Sequence, residues 1–171
     1  MNAGVLTISD GVSRGEREDT SGPGLTTRLQ EKGWTVVRHG VVSDEQAEIE
    51  TKLGEWVASG DVDLVLTTGG TGVAPRDHAP EATLAVIERQ VPGLQEAMRA
   101  AGLISTPHSM LSRGLAGIRG RTLIVNLPGS PRGALENLNV ILPVLPHAVG
   151  LIRDEPEASR SHRVPDHGHR A

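Results

Sequence analysis

Asp63-Leu64-Val65-Leu66-Thr67-Thr68-Gly69-Gly70-Thr71-Gly72, followed by Val73-Ala74-Pro75-Arg76-Asp77, is the stretch on which the fold turns. Apart from Asp63, the run Val62–Leu66 is apolar, as a strand buried on both faces requires. It then breaks into glycines and threonines. Gly69, Gly70 and Gly72 let the backbone take positive φ and come close to a ligand. Turned N–H groups and threonine hydroxyls in such a loop can hold anionic oxygens, and Asp77 can hold a divalent cation against them. The same residues equally suit a plain glycine-rich connection between strand and helix, with a solvated aspartate. The loop is neither a P-loop nor a dinucleotide fingerprint, because the Gly-Lys-Ser/Thr ending and the Gly-x-Gly-x-x-Gly spacing are absent.

Upstream of this strand the chain alternates between strand and helix patterns. Val5–Ile8 reads as a first strand that stops at Ser9-Asp10-Gly11, and residues 11–21 read as a polar loop. Gly22-Pro23 opens a helix with Pro23 at its first position; Leu25 and Leu29 share a face, and Gly33 closes it. Trp34–Val42 is the second strand. Ser43-Asp44-Glu45-Gln46 has the capping-box pattern, and the helix after it should bury Ile49, Leu53, Trp56 and Val57.

Downstream, Pro80 begins a helix that runs to about Arg89. Pro92-Gly93 interrupts it before a short helix carrying Leu94, Met98 and Ala101. Residues 105–112 read as a turn into another helix near Met110, and Gly117–Gly120 as a break. Arg121–Leu127 is a strong strand. Ser130-Pro131 starts a helix with Leu135, Leu138 and Leu142 on one face, and Pro143 and Pro146 kink or split it.

Alternating strands and helices imply βαβ units. The expected fold is a three-layer α/β domain with a mostly parallel sheet covered by helices on both faces. Residues 1–152 make one domain, and 153–171 form a charge-balanced polar tail, expected to be flexible, with too little apolar content to fold alone. The chain of 171 residues is long enough for a substantial core. That core must be aliphatic, since Phe and Tyr are absent and only Trp34 and Trp56 are aromatic. So few stacking rings, with a net charge of −4, argue against a nucleic-acid binder. The absence of cysteine excludes disulfides and thiolate chemistry. With no signal-peptide pattern and no apolar run of spanning length, a cytoplasmic protein without membrane contact is expected.

Ligands of open parallel sheets bind beyond the carboxyl ends of the strands. Ser9-Asp10, Ser43-Asp44, the Gly/Thr loop with Asp77, and Asn126-Leu127-Pro128-Gly129-Ser130-Pro131 all fall there. Singly, Asp10 suits a turn that bonds its own backbone, and Asp44 suits a helix first turn. Together they suit phosphoryl or nucleotidyl transfer, which asks for positioning, a metal and charge neutralisation. No nucleophile elbow or His-Glu-x-x-His pair is present, and His78 and His108 read as loop histidines.

The motifs in order resemble the molybdenum cofactor biosynthesis family that includes the Mog and MoaB proteins and the G domains of plant Cnx proteins and gephyrin. The residues that carry the likeness are Leu6–Asp10, Asp19-Thr20-Ser21-Gly22-Pro23, Val42–Glu45, Thr67–Gly72 with Arg76-Asp77, Pro80–Thr83, Met110–Arg113 and Asn126–Pro131. The resemblance implies a molybdopterin-binding, MogA-like fold, a homotrimer, and adenylylation of molybdopterin by MgATP to adenylyl-molybdopterin and pyrophosphate. It implies Asp44 and Asp77 as the catalytic pair and as the ligands of Mg²⁺. It assigns substrate binding to Ser9, Asp10, Gly69, Gly70, Thr71, Gly72, Ser112, Arg113, Asn126, Pro128, Gly129, Ser130 and Pro131. Hand-over of product to a MoeA-type molybdate insertase is implied as well. The alternative function is a non-catalytic, molybdopterin-binding paralogue of the MoaB type, which would lack a metal-dependent ATP site.

Overall fold

A computed structural model describes residues 1–156 and 158. The strands are β1 (Asn2–Ile8), β2 (Thr35–Val42), β3 (Leu64–Thr68), β4 (Arg89–Gln90), β5 (Ala116–Arg119) and β6 (Thr122–Leu127). They form one sheet in the order β2-β1-β3-β6-β5-β4. The pairs among β2, β1, β3 and β6 are parallel, while β5 pairs antiparallel with both β6 and β4. The helices are α1 (Asp10–Ser13), α2 (Ser21–Glu31), α3 (Gln46–Ala58), α4 (Ala79–Val86), α5 (Pro92–Ser105), α6 (Pro131–Ile141) and α7 (Leu145–Ile152), with a 3₁₀ turn at Pro107–Leu111.

Successive strand residues face opposite sides, so the apolar run of β3 feeds two cores. Leu64 and Leu66 join Leu25, Leu29, Met98, Leu138 and Val149 on the α2/α5/α6/α7 side. Val65 joins Ile49, Leu53, Trp56, Ala79 and Ala82 on the α3/α4 side. Both faces are covered, as the three-layer expectation requires. Trp56 substitutes for the missing aromatics by lying flat on two glycines. A Cβ at Gly4 would stand 2.8 Å from its ring, and one at Gly40 would stand 3.1 Å away. No single helix among the described residues is long and apolar enough to cross a membrane.

Several local expectations are corrected. The polar segment after β1 contains the one-turn helix α1, started by Ser9, whose hydroxyl accepts from Val12 N. The Ser43–Gln46 capping box does not form: α3 begins at Gln46, and Glu48 reaches back to the Ser43 hydroxyl at 2.6 Å. Asp44 is held by Asp10, which shifts the helix start. Val57 is only partly buried. Pro92 opens α5 rather than interrupting a helix, because the edge strand β4 intervenes. Residues 117–120 are not a break: residues 116–119 pair with β6, and Gly120, at φ +54, turns the hairpin. Periodicity missed β5 because it is short and carries Gly117, whose hydrogen faces the Ile87 side chain. The sequence-derived view of the tail beyond residue 156 falls almost wholly outside the described residues.

Candidate functional site

Because β1, β2, β3 and β6 run parallel, their carboxyl ends share one edge. Three of the four loops there are tied together by polar side chains. Asp10 N donates to Asp44 Oδ2 at 2.7 Å, and Asp44 N donates to Asp10 Oδ1 at 3.1 Å. Arg76, from the loop after β3, donates to both Asp10 oxygens at 2.7 and 3.0 Å and to Glu45 at 3.0 Å. The loops after β3 and β6 lie back to back. Thr68 Oγ1 donates to Pro128 O at 2.7 Å, Gly69 N donates to Leu127 O at 3.2 Å, and a Cβ at Gly129 would meet Gly69 Cα at 3.2 Å. Gly69 takes φ +108 and Gly70 φ +64.

These loops enclose a cavity of about 760 Å³. Of the sequence-assigned residues, Ser9, Asp44, Gly69, Gly70, Gly129, Ser130 and Pro131 line it. The N-terminal turns of α2 and α6, each an 11-residue helix, also border it through Ser21, Ser130 and Pro131. Helix N-termini present unpaired N–H groups and a partial positive charge, which favour an anion. A smaller cavity of about 260 Å³ meets the first at Ser130. Thr71, Gly72, Ser112 and Pro128 line it, with Met98 and Leu111 as apolar walls.

Asp10, Asp77, Arg113 and Asn126 line neither cavity. Asp77 Oδ2 accepts from Ala74 N at 2.7 Å and so shapes its own loop. Arg113 is committed to protein partners. It donates to Gly72 O at 2.6 Å, to Asp77 O and to the Glu81 carboxylate. It therefore clamps the glycine loop against α4. Asn126, assigned to substrate by the resemblance, bonds protein groups here. Its side chain is buried, donating to Thr67 Oγ1 at 2.9 Å and Thr83 Oγ1 at 2.8 Å and accepting from Leu115 N at 3.0 Å. Asn126→Ala strands two buried hydroxyls and the part-buried Leu115 N–H and is expected to cost about 2–4 kcal/mol, read as a lower urea midpoint at unchanged m-value.

Asp19, among the residues that carry the resemblance but assigned no role by it, lines the larger cavity. It accepts from Thr7 Oγ1 at 2.7 Å and from Gly22 N at 2.9 Å. An aspartate three residues before a helical glycine is a capping signal, and Thr7 is the polar residue inside an apolar strand run. Together they are the clue the sequence offers to this contact.

Burial holds the Asp44 carboxyl above the usual aspartate range; the Asp10 N–H and Arg76 oppose this, while the charges of Asp10 and Asp77 add to it. Arg76 and the Asp44 N–H hold Asp10 below that range. Two adjacent carboxylates are thus pushed apart in acidity. Asp44 Oδ1 has no hydrogen bond among the described residues, and no group of three or more acidic or histidine side chains there forms a metal cage. A Mg²⁺ ion that takes most of its ligands from phosphates and water needs only one or two carboxylates. Asp44, at the cavity wall with its charge disfavoured by its neighbours, fits that requirement.

The fold and the cleft define an α/β domain of the kind that receives its ligand at the carboxyl edge of a parallel sheet. The chain belongs to the probable molybdopterin binding domain family, which matches residues 4–147. It is 43% identical over 176 residues to gephyrin of Dictyostelium discoideum, a match that covers 96% of this chain and 24% of that protein. The chain therefore spans about a quarter of gephyrin's length. It is 42% identical over 154 residues to molybdopterin adenylyltransferase of Helicobacter pylori, covering 89% of this chain and 88% of that one. Among solved structures it is similar to the molybdopterin biosynthesis enzyme MoaB of Thermus thermophilus. The TM-score is 0.85 with 50% identity, over 91% of this chain and 98% of that one. The fold is that of the MogA and MoaB proteins.

Proposed function

We propose that this protein acts in molybdenum cofactor biosynthesis and adenylylates molybdopterin with MgATP, giving adenylyl-molybdopterin and pyrophosphate. One observation carries the reading: a half-buried carboxylate, Asp44, sits in the wall of a cavity that glycine backbone, two helix N-termini and the Arg17 side chain also line. That combination suits a polyphosphate with its counter-ion. The terminal phosphate of molybdopterin attacks the α-phosphorus of ATP; a P–O bond forms, the bond to the bridging oxygen breaks, and diphosphate leaves. A phosphate monoester is already anionic at neutral pH, so no side chain need act as base. The Gly69 and Gly70 turn and the Ser21 and Ser130 helix starts offset charge on the transferring group. Asp44, with Asp77 nearby, would hold Mg²⁺, which would neutralise charge on the triphosphate. The smaller cavity, walled by Met98 and Leu111 and edged by Ser112, suits the flat pterin ring.

Mixing the protein with molybdopterin, ATP and Mg²⁺ and separating adenylyl-molybdopterin tests this directly. A protein that binds molybdopterin but shows no metal-dependent ATP heat in calorimetry is the non-catalytic paralogue instead. A homotrimer, a cytoplasmic site of action and hand-over to a MoeA-type insertase belong to the same reading. The exposed apolar run Leu103, Ile104, Met110 and Leu111, with Ile104 at 90% exposure, supports an assembly. Sedimentation equilibrium at micromolar concentration is expected to give three times the 18.0 kDa chain mass; a purely monomeric species rejects the trimer.

A further inference from the structure

At the carboxyl edge of the sheet, arginines are numerous but mostly spent. Arg14 pairs with Glu16 at 2.9 Å, Arg76 with Asp10 at 2.7 Å and Glu45 at 3.0 Å, and Arg132 with Glu136 at 2.7 Å. Arg113 pairs with Glu81. Arg17 has no ion-pair partner among the described residues. It is also the one lysine or arginine among them that lines the larger cavity. Its placement is fixed from behind. Glu16 N and Arg17 N both donate to Gly11 O, at 2.8 and 3.1 Å, which pins the turn. The arginine stem then lies over Gly11: its Cγ and Nε stand 3.6 and 3.5 Å from where a Cβ would be.

Beside its amides, hydroxyls and helix ends, this cavity carries the carboxylates of Glu18, Asp19 and Asp44. Arg17 offers a full positive charge, and it is exposed at the mouth. A guanidinium pairs best with the most highly charged oxygen cluster, through two parallel N–H···O bonds. Within a nucleoside triphosphate that cluster is the terminal diphosphate, which is also the part that has to depart into solvent. We propose that Arg17 receives the diphosphate end of the nucleotide at the mouth of the larger cavity. The proposal rests on the nucleotide reading of that cavity.

Calorimetric titration with inorganic pyrophosphate and with AMP, both in Mg²⁺ buffer, tests it on wild type, Arg17→Gln, Arg17→Lys and Arg14→Gln. Arg17→Gln is expected to weaken pyrophosphate binding by about tenfold or more, the effect of losing a charge-assisted hydrogen bond, and AMP by less than about twofold. Arg17→Lys recovers part of the loss, since it restores charge without the fork. Arg14→Gln, removing a cation already paired with Glu16, leaves both affinities unchanged. Thermal melts of the variants match wild type, because both side chains are exposed. Equal pyrophosphate affinity in wild type and Arg17→Gln overturns the proposal, as does an equal loss for AMP or for Arg14→Gln. Failure of wild type to bind pyrophosphate overturns it too. The titration needs neither molybdopterin nor turnover. A wild type that makes no adenylyl-molybdopterin thus defeats the adenylylation reading without touching the Arg17 result.

Discussion

Asp44→Asn is expected to lower the turnover of molybdopterin with MgATP by about 100-fold or more, ~2.7 kcal/mol of transition-state stabilisation, while the protein melts no lower than wild type. The two outcomes have one cause. Asn can still accept from the Asp10 N–H, so the tie between the loops after β1 and β2 survives. What disappears is a negative charge that burial and the neighbouring Asp10 and Asp77 charges disfavour. A carboxyl whose folded pKa is raised above 3.8 costs stability once ionised: the loss sets in as pH climbs through 3.8 and is complete above the raised value. At neutral pH the protein therefore carries that cost, and a neutral side chain removes it. The same shift places the acid limb of kcat/KM above 3.8 in the wild type, because turnover needs the ionised form. Near-wild-type turnover in the variant at saturating Mg²⁺ means Asp44 has no such role. A large drop in melting temperature means its role is to hold the fold.

Gly69→Ala is expected to cost about 3 kcal/mol or more and to lower the melting temperature by about 10 °C in a chain of this size. Two effects combine. Gly69 takes φ +108, where L side chains are strained, and a Cβ there would overlap the Ile8 carbonyl oxygen. That oxygen belongs to backbone at the end of β1, between the two neighbours of a parallel ladder, so it cannot swing away as a side chain tip would. Gly60→Ala separates the effects. Gly60 also has positive φ, at +71, but nothing stands within 4 Å of its Cβ position. It should lose only the backbone term of about 1–2 kcal/mol. Equal costs at the two sites, measured by thermal or urea unfolding, would show that the close approach at Ile8 is tolerated.

The sequence alone determined the layered sheet, the glycine turn after β3 and the gathering of Asp10, Asp44 and Asp77 at one edge. These follow from local pattern. An apolar run flanked by turn residues marks a buried strand, alternation with helices makes neighbouring strands parallel, and parallel strands end on the same side. Only the tertiary structure decided what each polar side chain at that edge touches. Asp10 and Asp44 exchange hydrogen bonds across 34 positions of chain, Arg113 turns to Glu81 and the Asp77 carbonyl, and Asn126 faces inward to Thr67 and Thr83. Asp19 enters the cavity wall because Thr7 and Gly22 hold it there. A residue's type and local period fix which face of an element it occupies. Whether its charge stays free for a ligand depends on partners brought near by other segments, and a short-range pattern carries no record of them.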